Sequence, residues 1–204
     1  MIRAVTVGGE YGSGRGEIAK AVAARFNWRL VDNCLIEDIA NTAHFDPELC
    51  RRLDERTDPW FHRLRKALWH GGYEGVTTTT ETEPDADAVA AVAQQVILEA
   101  AKQGSCVIVG RGGQCVLQDR EDVLHVFVYG PRDERIERVR ARPDRKEDPE
   151  TLTDSWDRKR AAYIRRYYGQ DWTNRHLYDL MLCSTMGEEA AVNAVAAVVA
   201  GCRG

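Results

Sequence analysis

A short run near the start of the chain, Gly9-Glu10-Tyr11-Gly12-Ser13-Gly14-Arg15-Gly16, has residue types and spacing suited to holding an anion with several oxygens. Its glycines let the backbone curl so that successive N–H groups point inward. Arg15 adds a cation, and Ser13 adds the hydroxyl that could face a metal. The spacing follows G-x-x-x-x-G-K-[ST], with Arg15 in the lysine position and Gly16 in the Ser/Thr position. Apolar Ile2 to Val7 precedes the run. Glu17 to Phe26 follows it, with Ile18, Ala19, Val22 and Phe26 at helical spacing. A strand therefore feeds the loop, and a helix leaves it with its positive dipole end toward the bound group. A tight turn without ligand is the alternative. The strand–loop–helix order favours polyphosphate.

Further candidates lie along the chain. Arg111 sits in Gly110-Arg111-Gly112-Gly113, at the carboxyl end of the apolar run Cys106 to Val109. In open α/β sheets that edge is where ligands bind. Asp32 follows a short strand, Trp28 to Val31; an N-cap for a helix through Ile36 is the equal alternative. Asp157 and Arg160 are three apart on a predicted helix and share a face. A carboxylate can accept from a base amino group while an arginine grips phosphate. Between Arg132 and Arg166 basic and acidic residues interleave, which argues for solvated ion pairs and against a nucleic-acid groove. Within that stretch the charged loop bounded by Pro143 and Pro149 fits a lid that closes arginines over the site.

The elements that must position these groups alternate. The pattern predicts strands at Ile2–Val7, Trp28–Val31, Cys106–Val109, Val123–Tyr129 and Leu177–Ser184. It predicts helices at Glu17–Phe26, Ala88–Gln103, after Pro131, at Leu152–Tyr168, and at the end behind a Thr185-x-x-Glu188 capping box. The result is an α/β fold of about five parallel strands with helices on both faces. Residues 44–87 differ: Asp46-Pro47 and Asp58-Pro59 read as helix starts, Trp60, Phe61 and Trp69 as core packing, and Thr77 to Pro84 as a loop. We read 1–204 as one domain with a helical insertion at 44–87 and a lid at 142–157.

Composition narrows the function. The chain has 204 residues and a formal net charge of −4, which disfavours non-specific nucleic-acid binding. No apolar run reaches the ~20 residues of a membrane span, and the amino-terminal residues lack a signal-peptide pattern. The six cysteines form no Cys-x-x-Cys pair, so free thiols in a reducing cytoplasm are expected. His62 and His70 have no ligand partners at metal spacing.

The segment from Ala4 to Asp32 resembles the opening of cytidylate kinase, ending on the strand before "LVDNCLIED". It is more similar to the divergent cytidylate kinase-like proteins, whose loop reads E-Y-G-S-G followed by Gly and Arg. Here that pair is reversed, as Arg15-Gly16. The resemblance continues at Val107 to Arg111, at Asp157-Arg158-Lys159-Arg160 and at Tyr178-Asp179-Leu180. It implies a three-layer α/β/α P-loop kinase fold and ATP-dependent phosphoryl transfer to a nucleoside monophosphate, CMP or dCMP first, in the cytoplasm.

By the same resemblance, Gly9, Glu10, Tyr11, Gly12, Ser13, Gly14, Arg15 and Gly16 hold the donor phosphates, with Arg135 and Arg138 nearby. Asp32, Arg111, Asp157 and Arg160 bind the acceptor. Arg142 and Arg145 lie on the lid, and Arg15, Arg111 and Arg160 act in catalysis. Mg²⁺ comes with ATP, bridging donor phosphates through waters and Ser13. The departures are Arg15, Gly16, Val109 in place of a frequent carboxylate, and a helical rather than sheet-containing insertion. They leave open a phosphotransferase on another small acceptor, or a catalytically silent nucleotide-binding module.

Overall fold

The computed structural model describes residues 1–32, 86–143 and 147–201. The elements are β1 (Ala4–Gly9), α1 (Arg15–Phe26), β2 (Arg29–Val31), α2 (Ala86–Gln103), β3 (Cys106–Val109), α3 (Gly113–Val116), β4 (Val123–Tyr129), α4 (Arg132–Arg140), α5 (Pro149–Tyr168), β5 (Leu180–Cys183) and α6 (Glu188–Gly201). Of the insertion expected at 44–87, residues 44–85 with the aromatic residues on it lie outside the described residues, as do Arg145 and Cys34, Cys50 and Cys202, while residues 86 and 87 already belong to α2. Cys106, Cys115 and Cys183 are free thiols.

The five strands form one parallel sheet in the order β2-β3-β1-β4-β5. Ala4 of β1 pairs with Cys106 on one side and Val123 on the other. Strand side chains alternate between faces, so each apolar strand feeds two cores. Val5, Val7, Val126 and Val128 pack against Ile18 and Val22 of α1 and Val195 of α6. Ala4, Ile108 and Val123 lie under Val92, Val96 and Ile97 of α2. Phe127, on that same second face, meets Ile164 of α5 and Trp172. Each fully buried aliphatic side chain contributes roughly 1.5–3 kcal/mol. The layers are therefore α/β/α, as the sequence pattern predicts.

Topology sets the place of the site. The chain leaves β1 toward β2 and leaves β3 toward β4, and β1 and β3 are neighbours. Their carboxyl ends bracket a crevice where the two loops diverge, the usual ligand position in open α/β sheets.

Several boundaries differ from expectation. Helix α5 begins at Pro149 rather than Leu152, because Asp148 Oδ2 accepts the Thr151 N–H at 2.8 Å and proline occupies the first turn. The last strand is shorter than predicted, because Arg175–Leu177 forms a 3₁₀ turn capped by Asn174. The Thr185 capping box does not form. Ser184–Met186 is a 3₁₀ turn, Gly187 at φ 86° interrupts it, and α6 starts at Glu188. The Thr185 hydroxyl donates instead to Cys183 Sγ at 3.2 Å.

Candidate functional site

The loop after β1 is shaped by two glycines with different neighbours. Gly12 has φ 78°, and a Cβ there would stand 2.5 Å from the Arg135 carbonyl oxygen, so this glycine fits the loop against the protein. Gly14 has φ 81°, and a Cβ there would meet no atom within 4 Å. Its open side is the hollow of the loop. The first helical bond of α1 runs from the Ile18 N–H to the Gly14 carbonyl. The N–H groups of Arg15, Gly16 and Glu17 thus lack intrahelical partners and stand at the positive end of the helix. Ser13 is buried, and its Oγ has no hydrogen-bond partner among the described residues.

The back of this loop is braced by charge. Glu10 accepts the Gly130 N–H at 3.0 Å and lies 3.2 Å from Arg135 Nε. Arg135 is buried and donates to the Gly130 carbonyl, the Tyr11 carbonyl and Asp157, at 3.1, 3.0 and 2.7 Å. Arg138 donates to the Gly12 carbonyl at 3.3 Å and to Ser184 Oγ at 2.9 Å. Expected beside donor phosphates, Arg135 and Arg138 grip loop carbonyls from behind. Glu10 likewise faces β4 and Arg135. Such a network fixes the curl before any ligand arrives.

Helix α5 closes on the loop from above. The Tyr11 N–H donates to Asp157 Oδ1 at 2.8 Å. Arg160 donates to the Gly9 carbonyl and to Asp157, each at 3.3 Å. Trp156 stacks on the Tyr11 ring with centroids 5.7 Å apart and planes 10° apart. The Arg160 and Arg142 guanidiniums lie 5.3 and 5.8 Å from the Tyr11 ring centre. The sequence pairs Asp157 with Arg160 correctly. It does not reveal that both turn to the loop.

The Arg15 side chain has no hydrogen bond or ion pair among the described residues. Burial is the main cause that pushes its pKa down, to about 9; the charge of Arg160 adds to this, while Asp157 and Tyr178 oppose it. Burial lowers that of Arg160 as well. At neutral pH Arg15 stays charged. Asp157 and Glu17 supply countercharge to it, and Asp157 is also shared with Arg135. Two half-buried cations beside the loop favour an anion there.

The second wall of the crevice begins at the end of β3. Gly110, Arg111 and Gly112 have φ of 74°, 50° and 76°, a left-handed turn. The Tyr168 hydroxyl donates to the Arg111 carbonyl at 3.1 Å. The Arg111 guanidinium carbon lies 5.9 Å from the Tyr163 ring centre. Asp32 follows β2, which pairs with β3, so Asp32 and Arg111 share one edge of the sheet. Sequence reasoning missed Trp156, Tyr163 and Tyr168. Their spacing along α5 with Asp157 and Arg160 was the available signal. Among the described residues no group of His, Cys, Asp and Glu is placed to hold a metal.

A family model described as the cytidylate kinase-like family matches residues 4–186. The chain belongs to the cytidylate kinase-like family. Among solved structures, an uncharacterized protein from Eubacterium ventriosum ATCC 27560 superposes with a TM-score of 0.70 at 20% identity, covering 98% of both chains. Shikimate kinase from Bacteroides thetaiotaomicron matches with a TM-score of 0.54 at 16% identity, covering 98% of this chain and 99% of its own. A gluconokinase from Sinorhizobium meliloti 1021 matches with a TM-score of 0.53 at 13% identity, covering 97% and 91%. No curated protein matches. These likenesses show the P-loop kinase fold, and with the family they support a small-molecule kinase. No helix among the described residues is long and apolar enough to cross a membrane.

Proposed function

We propose that this cytidylate kinase-like chain transfers the γ-phosphoryl group of ATP to a nucleoside monophosphate, CMP or dCMP first, in the cytoplasm. The observation that carries this reading is the loop itself: the open side at Gly14, the intrahelically unpaired N–H groups that start α1, and the half-buried cations Arg15 and Arg160 near it. Phosphoryl transfer needs positioning and positive charge more than covalent help.

In this reading Gly12 to Gly16 hold the donor phosphates through backbone N–H groups. Arg15 and Arg160 face the charge on the transferred group. Arg111 and Asp32 meet the acceptor from the second wall. Asp157 is shared between acceptor binding and its hold on the loop. Arg142 and Arg145 belong to the closing segment 142–157, and residues 44–87 form the acceptor side of a single domain. Mg²⁺ bound with ATP neutralises donor-phosphate charge. Ser13 fits it, because a buried hydroxyl without a partner is available there. Gly16 offers no hydroxyl.

That last feature favours a second reading, a nucleotide-binding module without transfer. A panel separates the two: CMP, dCMP, the other nucleoside monophosphates, shikimate and gluconate, each with ATP and Mg²⁺, read as ADP formed. CMP- or dCMP-dependent ADP supports the proposal. ADP with shikimate or gluconate alone changes the acceptor. ATP binding without ADP from any acceptor supports the silent module.

A further inference from the structure

Helix α5 touches both walls of the crevice, and its second half carries tyrosines that the loop does not use. Tyr168 lies against the turn after β3. Its hydroxyl donates to the Arg111 carbonyl at 3.1 Å, and a Cβ on Gly112 would stand 2.2 Å from Tyr168 Cε2. The turn it backs is left-handed at three successive residues, and Arg111 is the one with a side chain. A non-glycine residue there persists only where its surroundings hold it. Tyr163 stands beside Tyr168, with centroids 6.2 Å apart, and beside Tyr167 at 4.8 Å. Its ring lies 5.9 Å from the Arg111 guanidinium carbon. Burial raises the Tyr163 pKa, and the charge of Arg111 opposes that rise. Tyr167 ties this face of α5 to the start of α2 through Asp87 at 2.7 Å.

We propose that Tyr163 and Tyr168 are positioning residues that fix Arg111, Tyr168 through its backbone and Tyr163 through its guanidinium, and so set the affinity for the acceptor's anionic group. This rests on the kinase reading above. The two contacts divide the work. The Tyr168 hydroxyl holds the left-handed turn that aims the side chain, while the Tyr163 ring limits the guanidinium's freedom.

The test compares Tyr163→Leu, Tyr163→Phe and Tyr168→Phe with the natural protein. The Arg111 Nε–H resonance, assigned with Arg111→Lys, reports the guanidinium directly by ¹H–¹⁵N spectroscopy. Steady-state kinetics with CMP reports the acceptor side, and calorimetry with ATP the donor side. Tyr163→Leu should shift the resonance and raise the CMP KM roughly ten-fold, with kcat and ATP affinity little changed. Tyr163→Phe should restore both, because the ring remains. Tyr168→Phe should shift the Arg111 backbone resonances. An Arg111 resonance unmoved in folded Tyr163→Leu overturns the proposal, as does a loss that falls on ATP. Failure of the natural protein to use CMP or dCMP sinks the kinase reading for those acceptors, and the resonance then decides the positioning role by itself.

Discussion

The Tyr11 backbone N–H donates to Asp157 Oδ1 at 2.8 Å across 146 residues of sequence. A loop that would turn its N–H groups to phosphate thus gives this one to its own protein, as it gives those of Glu10 and Ser13 to the Val128 and Glu10 carbonyls. Asp157 also takes Arg135 at 2.7 Å and Arg160 at 3.3 Å. One carboxylate therefore sets the loop's height under α5 and part of the local charge.

Asp157→Asn keeps the shape but removes the charge that Arg135 and Arg160 share. The variant should lose about 2–4 kcal/mol of stability, because a buried guanidinium is left undercompensated. Urea unfolding measures this. A loss under 0.5 kcal/mol, with unchanged ATP affinity, would show that Glu10 alone suffices for Arg135.

Gly12 and Gly14 have similar φ but opposite surroundings. Gly12→Ala pushes a methyl into the Arg135 carbonyl and should cost about 2–4 kcal/mol of stability. Gly14→Ala meets no protein atom, so it should cost only about 1–2 kcal/mol of backbone strain while sharply weakening ATP binding. Thermal melts and calorimetry on both variants distinguish the cases. Equal loss of stability, or a Gly14→Ala protein that binds ATP normally, contradicts the assignment of the hollow.

Arg15 is held charged at a place that opposes charge. Arg15→Met should therefore leave the ligand-free protein as stable as before or more stable by about 1 kcal/mol, and cost it most of its ATP affinity. The readout is Tm with and without ATP. Natural protein should gain Tm with nucleotide and the variant should not. A less stable variant that ATP still protects would place Arg15 in a structural role.

His125 lies in the middle of β4, buried, with Nδ1 2.7 Å from Thr6 Oγ1. Burial pushes its pKa below the ordinary 6.5, and Asp179 opposes this. The unfolded chain then takes a proton more readily than the folded one. The stability contribution is whole above pH 6.5 and is lost as pH falls toward the folded value, with a slope of at most about 1.4 kcal/mol per pH unit. His125→Asn should flatten the decline between pH 6.5 and 5 in urea titrations. An unchanged slope would mean that other groups govern it.

The glycine loop, the five strands and the Asp157–Arg160 pair were legible in the sequence because each rests on short spacing. Loop curl, strand runs and helix faces are local properties. What Asp157 does was not legible, because it depends on α5 lying over Tyr11, and nothing near either residue announces that contact. Arg135 was expected beside donor phosphates from the family resemblance. Its burial behind the loop follows from Glu10, whose partner Gly130 is far away in sequence. The Thr185 box had the right letters. Gly187, two residues on, ended the turn and let the helix begin afresh.

Helix α5 also works as a ruler with a phase. Trp156, Asp157 and Arg160 read against one loop, and Tyr163 and Tyr168 read against another, all from a single stripe. Each residue advances the helix about 1.5 Å and turns it about 100°, so Asp157 and Tyr168 are locked roughly three turns apart. Exchanging one side chain along the stripe costs the contacts of that side chain alone. Changing the count of residues between them costs several at once: one extra alanine between Ala161 and Ala162 would swing every tyrosine beyond it away from Arg111 while leaving the grip on Tyr11 intact. Chain length here is thus a constraint in addition to residue identity. A one-residue insertion would sever the two walls of the crevice without touching a residue in either.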